Sequence, residues 1–260
     1  MNNEFLDFAI QLANEVGKIQ LSYFRSDDLD IVTKSNVSDV VTRADKESEE
    51  FIVRSVLERY PDHKILGEEG GYRGNKASDY MWVVDPLDGT TNYSQGLPVF
   101  SVSIGLRYKD ETIVGVVFAS YLKELFYAVK GGGAYMKCDD NEPKQIFVAK
   151  KQSLDCSVIG TGFPYDKGIN PDNNAANVTR ILPYVRDIRR MGSAAYDLCS
   201  VASGMLDGYW EMTLNLWDVC AGNLIVEEAG GIICNYRFDR NVSIIAGNHV
   251  IVNEMKKFVK

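Results

Sequence analysis

The sequence predicts a mixed α/β (α+β) protein in two unlike halves, and three observations predict it. Up to about residue 130, two amphipathic stretches are followed by short apolar runs separated by turn residues, the pattern of an antiparallel-rich sheet with helical cover. From about residue 157, short strands and helical stretches alternate, the pattern of an α/β layer. Between them, the polar Lys150-Lys151-Gln152-Ser153 places the join near Lys150, giving halves of residues 1–150 and 151–260. With 260 residues, 45% hydrophobic and 25% charged, the chain suits one large domain or two small ones sharing a core.

Each element follows from local pattern. Phe5, Phe8, Leu12, Val16, Ile19 and Tyr23 recur at steps of three and four, so the N-terminus reads as an amphipathic helix. The polar Thr33-Lys34-Ser35-Asn36-Val37-Ser38-Asp39 reads as an exposed loop. A second helix begins near Asp45, buries Phe51, Ile52, Val56 and Leu57, and is stopped by Pro61. Strands are expected at residues 64–66, 81–84, 100–108, 112–119 and 124–129, with Gly131-Gly132-Gly133 ending that set. In the second half, a strand at 157–160 precedes a helix around 175–185. A strand at 187–191 leads to a helix at 194–203, and a strand at 207–211 to a helix from near Asp218 to Gly230-Gly231.

Composition narrows the chemistry. Twenty-eight basic against 36 acidic residues give a formal charge of −8, which argues against nucleic acid as the main partner, because phosphate backbones call for a basic footprint. An acidic protein can still bind a phosphate ester if it holds divalent cations that invert the local field. The five cysteines form no CxxC pair and their count is odd, so reduced, mostly buried thiols are expected. MNNEFLDFAI lacks a signal-peptide pattern and no apolar run reaches the ~18 residues of a membrane span. A cytoplasmic compartment and no membrane partner follow as expectations. With only His63 and His249, phosphohistidine chemistry and imidazole-rich binuclear centres are excluded, leaving carboxylates and hydroxyls.

The most informative stretch is Asp85-Pro86-Leu87-Asp88-Gly89-Thr90-Thr91-Asn92, which follows the buried-strand run Met81-Trp82-Val83-Val84. A strand end that presents two carboxylates three residues apart is where α/β proteins place ligands. Pro86 fixes the turn, and Gly89 lets the backbone approach an anion. A helix starting here would aim the N–H groups of Gly89 and Thr90 at that anion. The plainer alternative is a surface Asp-Gly turn with Asp85 as a local cap. Strand-Asp-x-Asp-x-Thr phosphatase chemistry does not fit, because position 87 is Leu and shifting the frame puts Pro86 at the nucleophile position.

Residues 82–93 as a whole resemble the first signature of the inositol monophosphatase family. Leu216-Trp217-Asp218-Val219-Cys220-Ala221-Gly222, running on to Glu228-Ala229-Gly230-Gly231, is similar to the second. Gly67-Glu68-Glu69, Thr33-Lys34-Ser35 with Val41-Thr42-Arg43-Ala44-Asp45, Gly192-Ser193-Ala194-Ala195 and Tyr209-Trp210-Glu211 also fit, in the family's order. The resemblance implies a layered α-β-α-β-α sandwich with metals at the junction of the halves. It also implies a homodimer and a lithium-sensitive phosphatase acting on myo-inositol monophosphate or another small polyol or sugar phosphate. Histidinol phosphate, fructose 1,6-bisphosphate, NADP and 3′-phosphoadenosine compounds are runner-up substrates. The second class is a non-catalytic metal-dependent sensor or scaffold.

The resemblance also implies roles. Two or three Mg²⁺ ions per site are expected, since Mg²⁺ prefers octahedral oxygen ligands and two ions ~3.5–4 Å apart hold both oxygens of an in-line displacement. Glu68, Asp85 and the Leu87 carbonyl would hold the first, and Asp85, Asp88 and Asp218 the second. Asp45 paired with Thr90 would orient the attacking water. Lys34 would help place a further ion or water, and Glu69 would support the site from behind. Asp88, Gly89, Thr90, Gly192, Ser193, Ala194, Glu211 and Asp218 would contact substrate, with Glu211 accepting from ring hydroxyls. Each carboxylate has a plainer reading beside this one. Asp45 could cap its helix, Glu68 could be a solvated loop residue, Asp218 could answer a helix dipole, and Glu211 could be a wet strand end. Ser94-Gln95 and Cys138-Asp139-Asp140 depart from the family pattern and are expected at the substrate mouth or a subunit interface.

Overall fold

The computed structural model describes residues 3–26, 29–34 and 40–260. α1 (Asn3–Tyr23) buries Phe5, Ala9, Leu12, Ala13 and Val16 along one stripe, as its spacing requires. β1 (Val32–Thr33) and β2 (Val40–Val41) form an antiparallel pair either side of the polar loop, whose residues 35–39 lie outside the described residues. α2 (Arg43–Arg59) is N-capped by Thr42 and ends ahead of Pro61.

Nine further elements complete the first sheet region: β3 (Lys64–Gly67), β4 (Gly71–Gly74), β5 (Tyr80–Asp88), α3 (Thr90–Ser94), β6 (Ser101–Tyr108), β7 (Glu111–Ala119), β8 (Glu124–Val129), β9 (Ala134–Cys138) and β10 (Lys144–Gln145). The strands lie in the order β10-β9-β8-β7-β6-β5-β3-β4, antiparallel except where β3 runs parallel to β5. The second region comprises β11 (Val158–Thr161), α4 (Ala175–Ile181), β12 (Asp187–Arg189), α5 (Ala194–Ala202), β13 (Gly208–Leu214), α6 (Leu216–Glu228), β14 (Ile232–Arg237), β15 (Val242–Gly247) and α7 (His249–Met255). Its sheet order is β12-β11-β13-β15-β14, with β11 parallel to β12 and β13, and β15 antiparallel to β13 and β14.

Alternation along the strands sets the layers. Ile104 and Leu106 of β6 join Trp82 and Val84 of β5 beneath Leu12, Val16, Ile52 and Val56 of α1 and α2. The opposite face meets α5 and α6, where Val117 and Phe126 pack with Leu198, Val201, Leu224 and Ile225. The same cluster takes in Tyr209, Ile244 and Ala246 of the second sheet. α4 and α7 cover that sheet's outer face through Ile181, Ile251 and Met255 against Trp210 and Ile245. The result is the α-β-α-β-α sandwich. Each large side chain fully buried in these clusters is worth roughly 1.5–3 kcal/mol relative to exposure. α6 approaches the first sheet closely because Gly105 and Gly115 pair across β6 and β7. A Cβ at Gly105 would lie 2.5 Å from Cys220 Sγ, and one at Gly115 2.7 Å from the Ala221 oxygen.

Several boundaries differ from expectation. β5 does not stop at Val84 but carries Asp85-Pro86-Leu87-Asp88 within the strand, its pairing with β6 slipping between Asp85 and Asp88. The bulge lets Pro86 sit inside a sheet without a ladder donor. The helix expected at 175–185 ends at Ile181, where Pro183 tightens the chain into the 3₁₀ turn Leu182–Tyr184. β13 runs on to Leu214 through an irregularity at which Thr213 has φ 66°. β4, β9, β10, β14, β15 and α7 went unread from the sequence. Because β13, β14 and β15 pair antiparallel, the second half is a mixed sheet, not a simple strand–helix alternation. Among the described residues, no helix is long and apolar enough to cross a membrane.

Candidate active site

The bulge in β5 is the origin of the site. Asp85, 2% exposed, turns its Oδ1 back to accept from the Leu87 N–H at 2.9 Å. The Pro86 carbonyl is held by Gln20 Nε2 of α1 at 2.9 Å. Asp88 points the other way, towards the second sheet region, and its Oδ2 accepts from Ser193 Oγ at 2.6 Å and from the Ala195 N–H at 2.7 Å. Ser193 is the N-cap of α5, so Asp88 sits where a helix start favours negative charge. Gly89 is left-handed, φ 95°, and starts the five-residue α3. Asn92 then donates to the Val99 and Met191 carbonyls, both at 2.7 Å, stitching the loop before α5 to the first signature.

Asp45 caps its helix and also faces Thr90. Its Oδ2 accepts from the Thr42 N–H at 2.8 Å and Thr42 Oγ1 at 2.5 Å, closing a capping box, while its Oδ1 faces Thr90 Oγ1 at 3.0 Å. Thr90 Oγ1 also lies 3.0 Å from the Leu87 carbonyl. One hydroxyl carries one proton, so two acceptors compete for it unless Asp45 is itself protonated. Burial pushes the Asp45 carboxyl up to about 7, against the two Thr42 donors that pull it down. That poises it to exchange a proton near neutral pH.

Glu68 and Glu69 occupy the turn after β3. Lys34 Nζ pairs with Glu68 Oε1 at 2.9 Å and also with Glu69, and despite the cost of burial these two carboxylates hold the ammonium above its usual range. Asp218, in the first turn of α6, accepts from the Asn215 N–H at 2.6 Å in a second capping box. Glu211 on β13 is half-buried and accepts from the Tyr209 hydroxyl. Burial moves its carboxyl up to about 7, with Tyr209 and Arg190 opposing.

One pocket gathers Glu68, Asp85, Leu87, Asp88, Gly89, Thr90, Gly192, Ser193, Ala194, Glu211 and Asp218. Lys34 and Asp45 do not line it but contact its lining through Glu68 and Thr90. Sequence reasoning missed Tyr165, Arg190 and Asp197, which also line it. Asp197 is buried, its Oδ1 without a hydrogen-bond partner among the described residues, and an acid inside the apolar run of α5 was the available signal. Ser94, Gln95, Cys138, Asp139 and Asp140 line none of it, contrary to one expectation for them. Ser94 closes α3 on the Thr91 carbonyl at 2.9 Å, and Asp139 pairs with Lys123 at 3.0 Å on a distant turn.

Burial is the largest cause raising Glu68, Asp85, Asp88 and Asp218, and Asp85 and Asp218 are pushed well up, with neighbouring carboxylates adding to it. Four such groups crowded on one pocket, with a carbonyl beside them, form an all-oxygen donor set that suits a hard divalent cation. Among the described residues, no three acidic, histidine or cysteine side chains are gathered closely enough to enclose an ion as they stand. Asp88, Asp218 and Glu68 each give one oxygen to a protein donor, which leaves the other carboxylate oxygen of each for an ion.

The profile of the inositol monophosphatase family matches residues 1–258. A Nus factor SuhB from Pasteurella multocida is 44% identical over 250 residues, covering 96% of this chain and 91% of its own. An inositol-1-monophosphatase from a Synechocystis species is 44% identical over 206 residues, 79% of this chain and 70% of its own. The solved inositol monophosphatase from Anabaena superposes with a TM-score of 0.85 at 36% identity, over 98% of this chain and 94% of that one. With profile, sequence and fold in agreement over nearly its whole length, the chain belongs to the inositol monophosphatase family.

Proposed function

We propose that the chain is a magnesium-dependent phosphomonoesterase that hydrolyses myo-inositol monophosphate or a closely related polyol or sugar phosphate. The observation that carries this reading is the buried Asp45–Thr90 contact at 3.0 Å beside a pocket that Glu68, Asp85, Asp88 and Asp218 line together. The family is generally magnesium-dependent, and the donor set fits that ion. Glu68, Asp85, the Leu87 carbonyl, Asp88 and Asp218 would hold two or three ions, which when bound neutralise the phosphate and stabilise the leaving oxygen. Thr90 and Asp45 orient the attacking water, Thr90 by its hydroxyl and Asp45 by accepting a proton. Lys34 holds Glu68 and Glu69 together. The Gly192-Ser193-Ala194 turn receives the ester, and Glu211 accepts from a ring hydroxyl of the leaving alcohol. A cytoplasmic homodimer completes the proposal.

The test is a phosphate-release panel of inositol monophosphate, histidinol phosphate, fructose 1,6-bisphosphate, NADP and 3′-phosphoadenosine 5′-phosphate. The highest kcat/KM is expected on inositol monophosphate. A decisive preference for another ester overturns the substrate, and no release from any overturns the reaction. The Nus factor name of the 44% identical relative supports a second reading, in which the same chain also serves as a non-catalytic partner of other macromolecules. Full retention of that role by a variant without activity would separate the two.

A further inference from the structure

Glu49 belongs to no motif singled out above, yet it is only 6% exposed. It lies one helical turn after Asp45 on α2, on the same face. Its Oε2 accepts from the Glu69 N–H at 2.7 Å and its Oε1 from the Gly70 N–H at 2.5 Å. Two successive main-chain donors therefore close on one carboxylate, the strong charge-assisted form of the bond. Burying a carboxylate costs several kcal/mol unless it is satisfied in this way, so a neutral side chain would fill the space more cheaply. The chain has made room for it on both sides. A Cβ at Gly67 would lie 2.6 Å from the Glu49 carboxyl carbon, and one at Gly70 would lie 2.6 Å from its Oε1. The glycines flanking Glu68-Glu69 are thus the negative image of Glu49.

We propose that Glu49 is the positioning residue of the acidic turn, fixing the Glu68-Glu69-Gly70 main chain to α2 so that Glu68 is presented to the pocket at a set distance from the Asp45–Thr90 pair. α2 is then one rigid ruler carrying both arms: Asp45 reaches Thr90 at the start of α3, and Glu49 reaches the turn after β3. Lys34 ties the two glutamate side chains from the solvent side, while Glu49 ties their backbone from the core side. The proposal rests on the reading of Glu68 as a Mg²⁺ ligand, and its test separates the two.

The test is Mg²⁺ binding by isothermal calorimetry on the full chain, together with hydrogen exchange at the Glu69 and Gly70 amides in the absence of metal. Glu49→Gln keeps the volume but turns an amide donor towards one of the N–H groups. Its Mg²⁺ dissociation constant is expected to rise about 10- to 100-fold, the usual cost of losing a ligand's supporting partner. The two amides should exchange faster than in the wild type, and kcat should return towards wild type at saturating Mg²⁺. The neighbouring exposed Glu50→Gln should leave all three readouts unchanged. If Glu49→Gln does not fold, Gly70→Ala decides, since its Cβ would displace the carboxylate from the other side and should weaken Mg²⁺ in the same way. Unchanged Mg²⁺ affinity and amide exchange in a folded variant overturn the proposal. A wild type that binds no Mg²⁺ overturns the metal reading instead, and the exchange of the two amides then still decides whether Glu49 holds the turn.

Discussion

At the residue scale, the site depends on side chains that serve structure and chemistry at once. Asp45 gives one oxygen to the N-terminus of α2 and the other to Thr90, so a single carboxylate ties a helix start to the proposed water-orienting hydroxyl. Asp45→Asn should therefore fold, because an amide oxygen still accepts, yet lose a proton acceptor. A fall in kcat of roughly 10²–10⁴-fold with little change in KM is expected from steady-state kinetics, the usual worth of a general base. Glu211 invites a different experiment. Glu211→Gln keeps volume but offers an amide donor to a hydroxyl that had donated, a mismatch of about 1–3 kcal/mol when buried. That is roughly 5- to 150-fold in kcat/KM on inositol monophosphate. An aryl phosphate has no such hydroxyl and should hardly notice. Equal loss on both esters would remove Glu211 from specificity. These residues were legible because their motifs were long and ordered. Glu49 and Asp197 were not, because an isolated acid within a helix reads as solvated surface until the fold shows what it faces.

At the element scale, period alone decides some elements and the tertiary neighbour decides others. α1, α2 and strands β6 to β8 carry repeating apolar patterns that only one secondary structure satisfies. β5 was cut short because Asp-Pro-Leu-Asp reads as a turn, and only the slipped ladder with β6 keeps it in the sheet. β15 has plain strand composition in Val242-Ser243-Ile244-Ile245, and α7 a local start signal in Asn248, which caps it through the Val250 and Ile251 N–H groups. One contact at the start of the first sheet makes a pH-dependent prediction. His63 stacks between Tyr60 and Tyr80, with centroids 4.7 Å away on each side, and its Nδ1 accepts from Trp82 Nε1 at 3.1 Å. Burial holds its pKa below the ordinary histidine value, with the Asp62 charge opposing. The unfolded chain thus takes the proton first. The stability His63 contributes is complete above the unfolded pKa of about 6.5 and is lost as pH falls through the lower folded value. In thermal melts between pH 8 and 5, the wild type should lose more Tm than His63→Gln over the acid part of the range. Parallel curves would show that His63 does not contribute in this way.

At the scale of the whole molecule, the two sheets meet where their charges would be hardest to bury. Asp85 and Glu68 come from the first sheet region, Asp218 and Glu211 from the second, and Asp88 crosses between them to the start of α5. Such an arrangement is self-repelling without cations, so bound Mg²⁺ should stabilise the fold as a whole. At a hundredfold excess over the dissociation constant, linkage gives about 2.7 kcal/mol, readable as a rise in Tm that EDTA abolishes. Ca²⁺ should bind the same oxygens, yet its larger radius and looser coordination should inhibit turnover. The most direct measurement is phosphate release from inositol monophosphate as a function of free Mg²⁺, for the wild type beside Asp45→Asn. Release that rises from nothing in excess chelator to saturation with Mg²⁺, and that Asp45→Asn nearly abolishes at every Mg²⁺ concentration, is the expected result. Full turnover in excess chelator, or an Asp45→Asn enzyme as fast as the wild type, would contradict it.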